Sequence, residues 1–173
     1  SILNNCLSKD ERERTEELIR PILRGRDIKR YSYDFADRWL INSHNGIKSQ
    51  GIKPIDINDY PAVKSYLDGK WDLICNREDQ GETPYNLRNC AYMEDFYKPK
   101  VMWKIIGCNI NFSFDEKNMI CNNAVDIMTG NRDFLIQFLG LMNSKLFDWY
   151  LKLTTEAEVQ GGGIQLYVTS LEK

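Results

Sequence analysis

The stretch IRPILRGRDIKRY, residues 19–31, holds Arg20, Arg24, Arg26, Lys29 and Arg30 against one carboxylate, Asp27. Guanidinium forks at that density offer paired donors to phosphate oxygens. A second candidate lies near the C-terminus, where Gln160 and Gln165 bracket Gly161-Gly162-Gly163. A glutamine amide presents a donor and an acceptor side by side, the pattern that pairs with adenine in the major groove. The three glycines themselves do not cradle phosphate, because no Lys-Ser/Thr follows them and the next residues read as a strand.

Catalytic chemistry finds no support. His44 is the only histidine, which excludes a histidine-rich metal site and leaves a nucleophile without a base. Cys6, Cys75, Cys90, Cys108 and Cys121 show no zinc-clamping spacing, and an odd number fits reduced thiols in a cytoplasmic compartment. Asp115 and Glu116 are neighbours on a turn with no third carboxylate, so they read as a solvated hairpin turn. Tyr92, Phe96, Tyr97, Trp103, Phe112 and Phe114 could stack bases, yet their alternation with polar residues fits core packing better. No catalytic residue and no metal ligand set is predicted.

The elements that must position these residues centre on 98–153. In KVMWKII, Val101, Trp103 and Ile105 share one strand face, and Lys100, Met102 and Lys104 share the other, which should meet something polar. Ile110, Phe112 and Phe114 repeat the period after Gly107-Cys108-Asn109, which makes a hairpin. Asn131 is placed to cap a helix whose Phe134, Leu135, Phe138, Leu139 and Met142 form an apolar stripe. The following segment SKLFDWYLKL can pack in the core or act as the second helix of a helix-turn-helix; its apolar content favours the core. Upstream, Ser8 and Glu11 make a capping box for a charged helix with little to bury. Asp59 is placed to cap YPAVKSYLDG, where Val63, Tyr66 and Leu67 share a face, and QGETPYNLRNC is polar and turn-rich. The expected fold is mixed α/β: a twisted, largely antiparallel sheet from Trp39, 100–106, 110–114, 124–128 and 165–168, with flanking helices.

With 173 residues the chain can build one full core. The longest apolar runs are broken by Gln137, Asn143 and Asp148 below a membrane-spanning length, so no membrane association is expected. The net charge of −2 argues against non-specific coating of nucleic acid and makes any such contact local.

Six segments in order, IRPILRGRDIKRY, YPAVKSYL, REDQGETPYNLR, YKPKVMWKII, LGLMNSKLFDWYL and GGGIQLYVTSLEK, resemble the TaqI-like C-terminal specificity domain. That domain accompanies N6-adenine DNA methyltransferases and enzymes that combine methylation with cleavage. The resemblance implies a target-recognition-domain-like fold and sequence-specific reading of double-stranded DNA, as in a type IIG-like restriction-modification enzyme of bacteria or archaea. It also implies a separate catalytic methyltransferase or nuclease domain in the same parent chain. S-adenosylmethionine, with Mg for cleavage, would belong to that domain, and no cofactor is expected in this fragment. Residues 1–20 then read as a charged helix linking to the catalytic domain, and 21–173 as the recognition domain.

Under this reading Arg24, Arg26, Lys29, Arg30 and Lys100 contact phosphate, and Lys104, Gln160 and Gln165 are candidates for base readout. Arg77, Gln80 and Arg88 lie in the family-like loop and contact either. The alternative is a protein-interaction module that docks the catalytic domain and touches DNA only incidentally, suggested by the charged helix and by Trp149, Tyr150 and Leu153.

Overall fold

A computed structural model describes residues 1–154 and 163–167. In chain order its elements are α1 (Lys9–Leu18), β1 (Ile19–Leu23), β2 (Trp39–Ile41), α2 (Pro61–Asp68), α3 (Trp71–Ile74), β3 (Lys100–Lys104), β4 (Ile106–Gly107), β5 (Phe112–Asp115), β6 (Ile120–Cys121), β7 (Val125–Thr129), α4 (Arg132–Met142), α5 (Lys145–Thr154) and β8 (Ile164–Gln165). The chain divides into two compact units, Ser1–Arg20 with Trp39–Tyr92, and Pro21–Arg38 with the chain from Met93 onward. Mixed helices and mostly antiparallel strand pairs make this the α/β fold expected from the sequence.

In the first unit, α1 does more than its charge suggests. Ser8 accepts from the Glu11 amide at 3.1 Å, as a cap should. The Glu11 carboxylate, instead of lying in solvent, accepts from the amides of Leu7 at 2.8 Å and Ala62 at 2.9 Å. It thus supplies the anionic partner for the start of α2, where Pro61 occupies the first turn and the expected cap, Asp59, ends the preceding turn and caps nothing. These backbone hydrogen bonds hold the Glu11 carboxyl below its usual range. Leu18 packs with Ile57 and Val63, and Ile41, Ile55, Tyr60, Leu67 and Tyr85 close around them. Tyr66, expected on the same face as Val63 and Leu67, is exposed instead.

The second unit is built on β3. It pairs antiparallel with β5 (Val101 opposite Phe114, Trp103 opposite Phe112) and with β7 (Val101 opposite Met128, Lys104 opposite Val125). Val101 and Trp103 face a core that includes Phe112, Leu135, Leu139, Met142, Leu151 and Leu166, and the Trp103 indole N–H donates to the Leu166 carbonyl at 3.1 Å. The strand ends at Lys104, two residues short of the expected run 100–106. The Ile105 amide donates to the Ala124 carbonyl at 3.0 Å and its carbonyl accepts from Leu166 at 2.8 Å, which redirects the chain into β4 and its antiparallel partner β8. Ile120-Cys121 also leaves the meander, pairing in parallel with Ile22-Leu23 of β1.

Two polar groups sit inside this unit. Asn143, at the end of α4, donates through its amide to the Phe112 carbonyl at 2.8 Å and accepts from the Phe112 amide at 3.1 Å, so one side chain completes the open edge of β5. The turn between α4 and α5 is therefore a buried junction, with Phe147 and Leu151 holding α5 against the core. Phe134, expected in the apolar stripe of α4, stays exposed.

The second group overturns two expectations. Lys100 is fully buried, and its Nζ donates to Asp115 Oδ2 at 2.5 Å and to the Phe96 carbonyl at 2.7 Å. Asp115 also accepts from the Tyr33 hydroxyl at 2.9 Å and from the amides of Lys117 and Met119, both at 3.0 Å. The second face of β3 thus meets an internal carboxylate, and the turn holding Asp115 is not solvated at that residue. Burial, with Asp115 as acceptor, pushes the Tyr33 hydroxyl far above its ordinary range, and burial raises the neighbouring Cys121 thiol to about 12.

Candidate nucleic-acid interface

The second unit gathers several of the basic residues around one open cleft. β1 delivers Arg24, whose backbone N–H donates to Asp27 Oδ2 at 2.9 Å while its guanidinium grips the same carboxylate through Nε at 3.0 Å and Nη2 at 2.9 Å. The paired guanidinium holds the Asp27 carboxyl below its usual range. This clamp closes the single turn Gly25–Asp27. Gly25 allows a close approach: a Cβ there would stand 3.1 Å from the Ala124 carbonyl and 3.4 Å from Lys104 Cβ, tighter than ordinary van der Waals contact. The turn therefore seats against the end of β3, and Arg26 emerges beside Lys104.

The resulting cleft, about 640 Å³, is lined by Arg24, Gly25, Arg26, Lys104, Ile105, Ile106, Asn122, Asn123, Ala124 and Tyr167. Among the described residues three cations and no carboxylate face it. Arg24 is neutralised by Asp27 behind the wall, whereas Arg26 and Lys104 have no acidic partner among the described residues. Lys104 bends back over Gly107, where a Cβ would collide with its Cε and Nζ. An anion entering this cleft would meet the Arg26 and Lys104 charges next to amide and phenol groups, a combination suited to a nucleotide backbone and base edge.

Not every predicted residue arrives there. Lys100 is corrected outright: it lies within the sheet and its charge is spent on Asp115, so it cannot reach a phosphate. Lys29 donates to the Arg26 carbonyl at 3.0 Å and approaches Asp34 at 3.8 Å. Arg30 donates to the Asn143 carbonyl at 2.8 Å and lies 5.3 Å over the Tyr31 ring, bracing the end of α4. Tyr31 itself adopts φ 66°, an uncommon conformation for a bulky residue.

Gln165 borders the cleft through its pairing with Ile106, and its amide donates to the Tyr167 hydroxyl. Gln160 lies outside the described residues. Arg77, Gln80 and Arg88 belong to the first unit. There Arg77 donates to the carbonyls of Pro84 at 3.1 Å and Asn86 at 2.7 Å, and Gln80 donates to the Cys75 carbonyl at 2.9 Å. These two side chains tie the loop to itself. Arg88 stays exposed near Asp79 at 3.4 Å.

The structure adds Asn122, Asn123 and Tyr167, which sequence reasoning passed over. The available signal was an Asn-Asn pair between two apolar runs, a turn signature, but nothing local shows that this turn faces Arg26.

The family model for the TaqI-like C-terminal specificity domain matches residues 20–173. The chain belongs to this family. The match covers both the cleft of the specificity domain and the self-bonded loop around Arg77. No described helix is long and apolar enough to cross a membrane.

Proposed function

We propose that this specificity domain reads a double-stranded DNA sequence for a restriction-modification enzyme of the type IIG-like class, with its cleft in the second unit as the contact surface. The observation that carries the reading is the convergence of Arg26 and Lys104, neither in an ion pair among the described residues, beside amide and aromatic side chains. Arg26 and Lys104 neutralise phosphates. Arg24 positions the turn, and Gln165, at the rim, takes part in base readout. A local cationic cleft of this kind also reconciles DNA binding with a net charge of −2.

Methyl transfer and cleavage are assigned to another domain of the parent protein. Among the described residues no cluster of three or more His, Cys, Asp or Glu could hold a metal ion. A second reading, that the domain also docks a catalytic partner, is supported by α5. Trp149 is 58% exposed and Leu153 66% exposed, with Tyr150 and Leu146 open beside them.

The test compares Arg26→Ala and Lys104→Ala with the unmodified protein across several duplexes and salt concentrations. Each substitution should weaken all duplexes equally and reduce the slope of log affinity against log salt by about 0.9. Unchanged slopes, or a lost preference at a single base pair for Arg26→Ala, would contradict these roles.

A further inference from the structure

The cleft has two chemically different walls. Arg26 and Lys104 form one, and the turn joining β6 to β7 forms the other. This turn is held at both ends. The Asn122 amide donates to the Leu23 carbonyl at 3.0 Å, and the Asn122 carbonyl accepts from Val125 at 3.1 Å across the turn. The Ala124 carbonyl accepts from Ile105 at 3.0 Å. Inside the turn, Asn122 Oδ1 accepts from the Ala124 amide at 3.2 Å, so its acceptor is committed to the backbone. Asn123 differs: it is exposed, lines the cleft, and its side chain has no partner among the described residues.

From this geometry we infer that Asn123 is a specificity-determining residue that reads the major-groove edge of an adenine, with Asn122 as the positioning residue behind it. The inference rests on the DNA-reading function proposed above and adds the base class. A primary amide offers one donor and one acceptor in a plane, matching adenine N7 and N6–H₂. Presentation matters as much as chemistry. A side chain on a turn pinned by three backbone hydrogen bonds loses little freedom on contact, so its pairing preference survives as discrimination. The adjacent cations supply sequence-independent attraction, and among the described cleft residues Asn123 keeps both halves of its amide hydrogen-bonding code unspent.

The test begins with selection of preferred duplexes by the complete protein. Each adenine of the preferred site is then replaced by 7-deazaadenine, which removes the N7 acceptor, and binding is measured for the unmodified protein, Asn123→Ala and Asn123→Gly. The glycine variant suits a turn and guards against a folding defect in the alanine variant; unfolding midpoints are compared for both. At one adenine the unmodified protein should lose about 5- to 150-fold in affinity on replacement. Both variants should be indifferent to that replacement, keep their preferences elsewhere and keep the salt slope. If the variants weaken every duplex alike, or no adenine responds to 7-deaza replacement, Asn123 is not an adenine reader although the domain still binds DNA. If the unmodified protein selects no duplex, the DNA-reading function itself falls, and this assignment with it.

Discussion

Lys100→Met provides the sharpest test of the internal carboxylate. The substitution keeps the aliphatic length of the side chain and removes the charge that faces Asp115 at 2.5 Å, with both side chains out of contact with solvent. Breaking one partner of a buried pair costs about 3–5 kcal/mol, because the remaining charge has no counterpart. Here Asp115 keeps the Tyr33 hydroxyl and the amides of Lys117 and Met119, which places Lys100→Met near the lower figure, about 3 kcal/mol. Asp115→Ala should cost more, since it strands the lysine and three further donors together. Urea unfolding gives both values, with separate probes for the two units. DNA binding is then measured under conditions where Lys100→Met remains folded, and affinity and salt slope should match the unmodified protein. A stable Lys100→Met protein with a shallower salt slope would refute the argument and return Lys100 to the phosphate-contacting group.

Asn143→Ala should destabilise the second unit by about 1–3 kcal/mol, because the Phe112 amide loses its acceptor within a buried edge while the Phe112 carbonyl keeps the Tyr31 amide; urea unfolding measures it, and a neutral result would mean that water replaces the side chain. His44 gives the first unit a pH dependence. Burial depresses its protonation below the ordinary value of 6.5, so the unfolded chain binds the proton first. Stability should be fully present above about 6.5, fall as pH drops below it, and level off once the folded imidazole also titrates. His44→Asn, which can still accept from the Gly46 amide bound at 3.1 Å in the native protein, should flatten that window in unfolding curves recorded between pH 7 and 5.

The sequence by itself determined the local elements and the broad class. Ser8 and Asn131 cap helices because a short polar side chain can reach an amide two or three residues on, a relation confined to one turn of chain. The alternation in KVMWK and around Phe112 set which side chains share a face, and the short Gly107-containing connection between the two runs pointed to antiparallel pairing. The order of six motifs identified the family. Tertiary structure alone decided which charges are free. Lys100 and Lys104 share a strand face in the sequence pattern, yet one meets Asp115, fifteen residues away, and the other opens onto a cleft. Arg77 and Arg26 are equally basic as residues, but only the first is consumed by loop carbonyls. Glu11 and Asn143 complete backbone hydrogen bonding at sites 51 and 31 residues distant. Charge availability depends on who lies within about 3 Å in space, and residue spacing along the chain does not encode that distance once the partners are on separate elements.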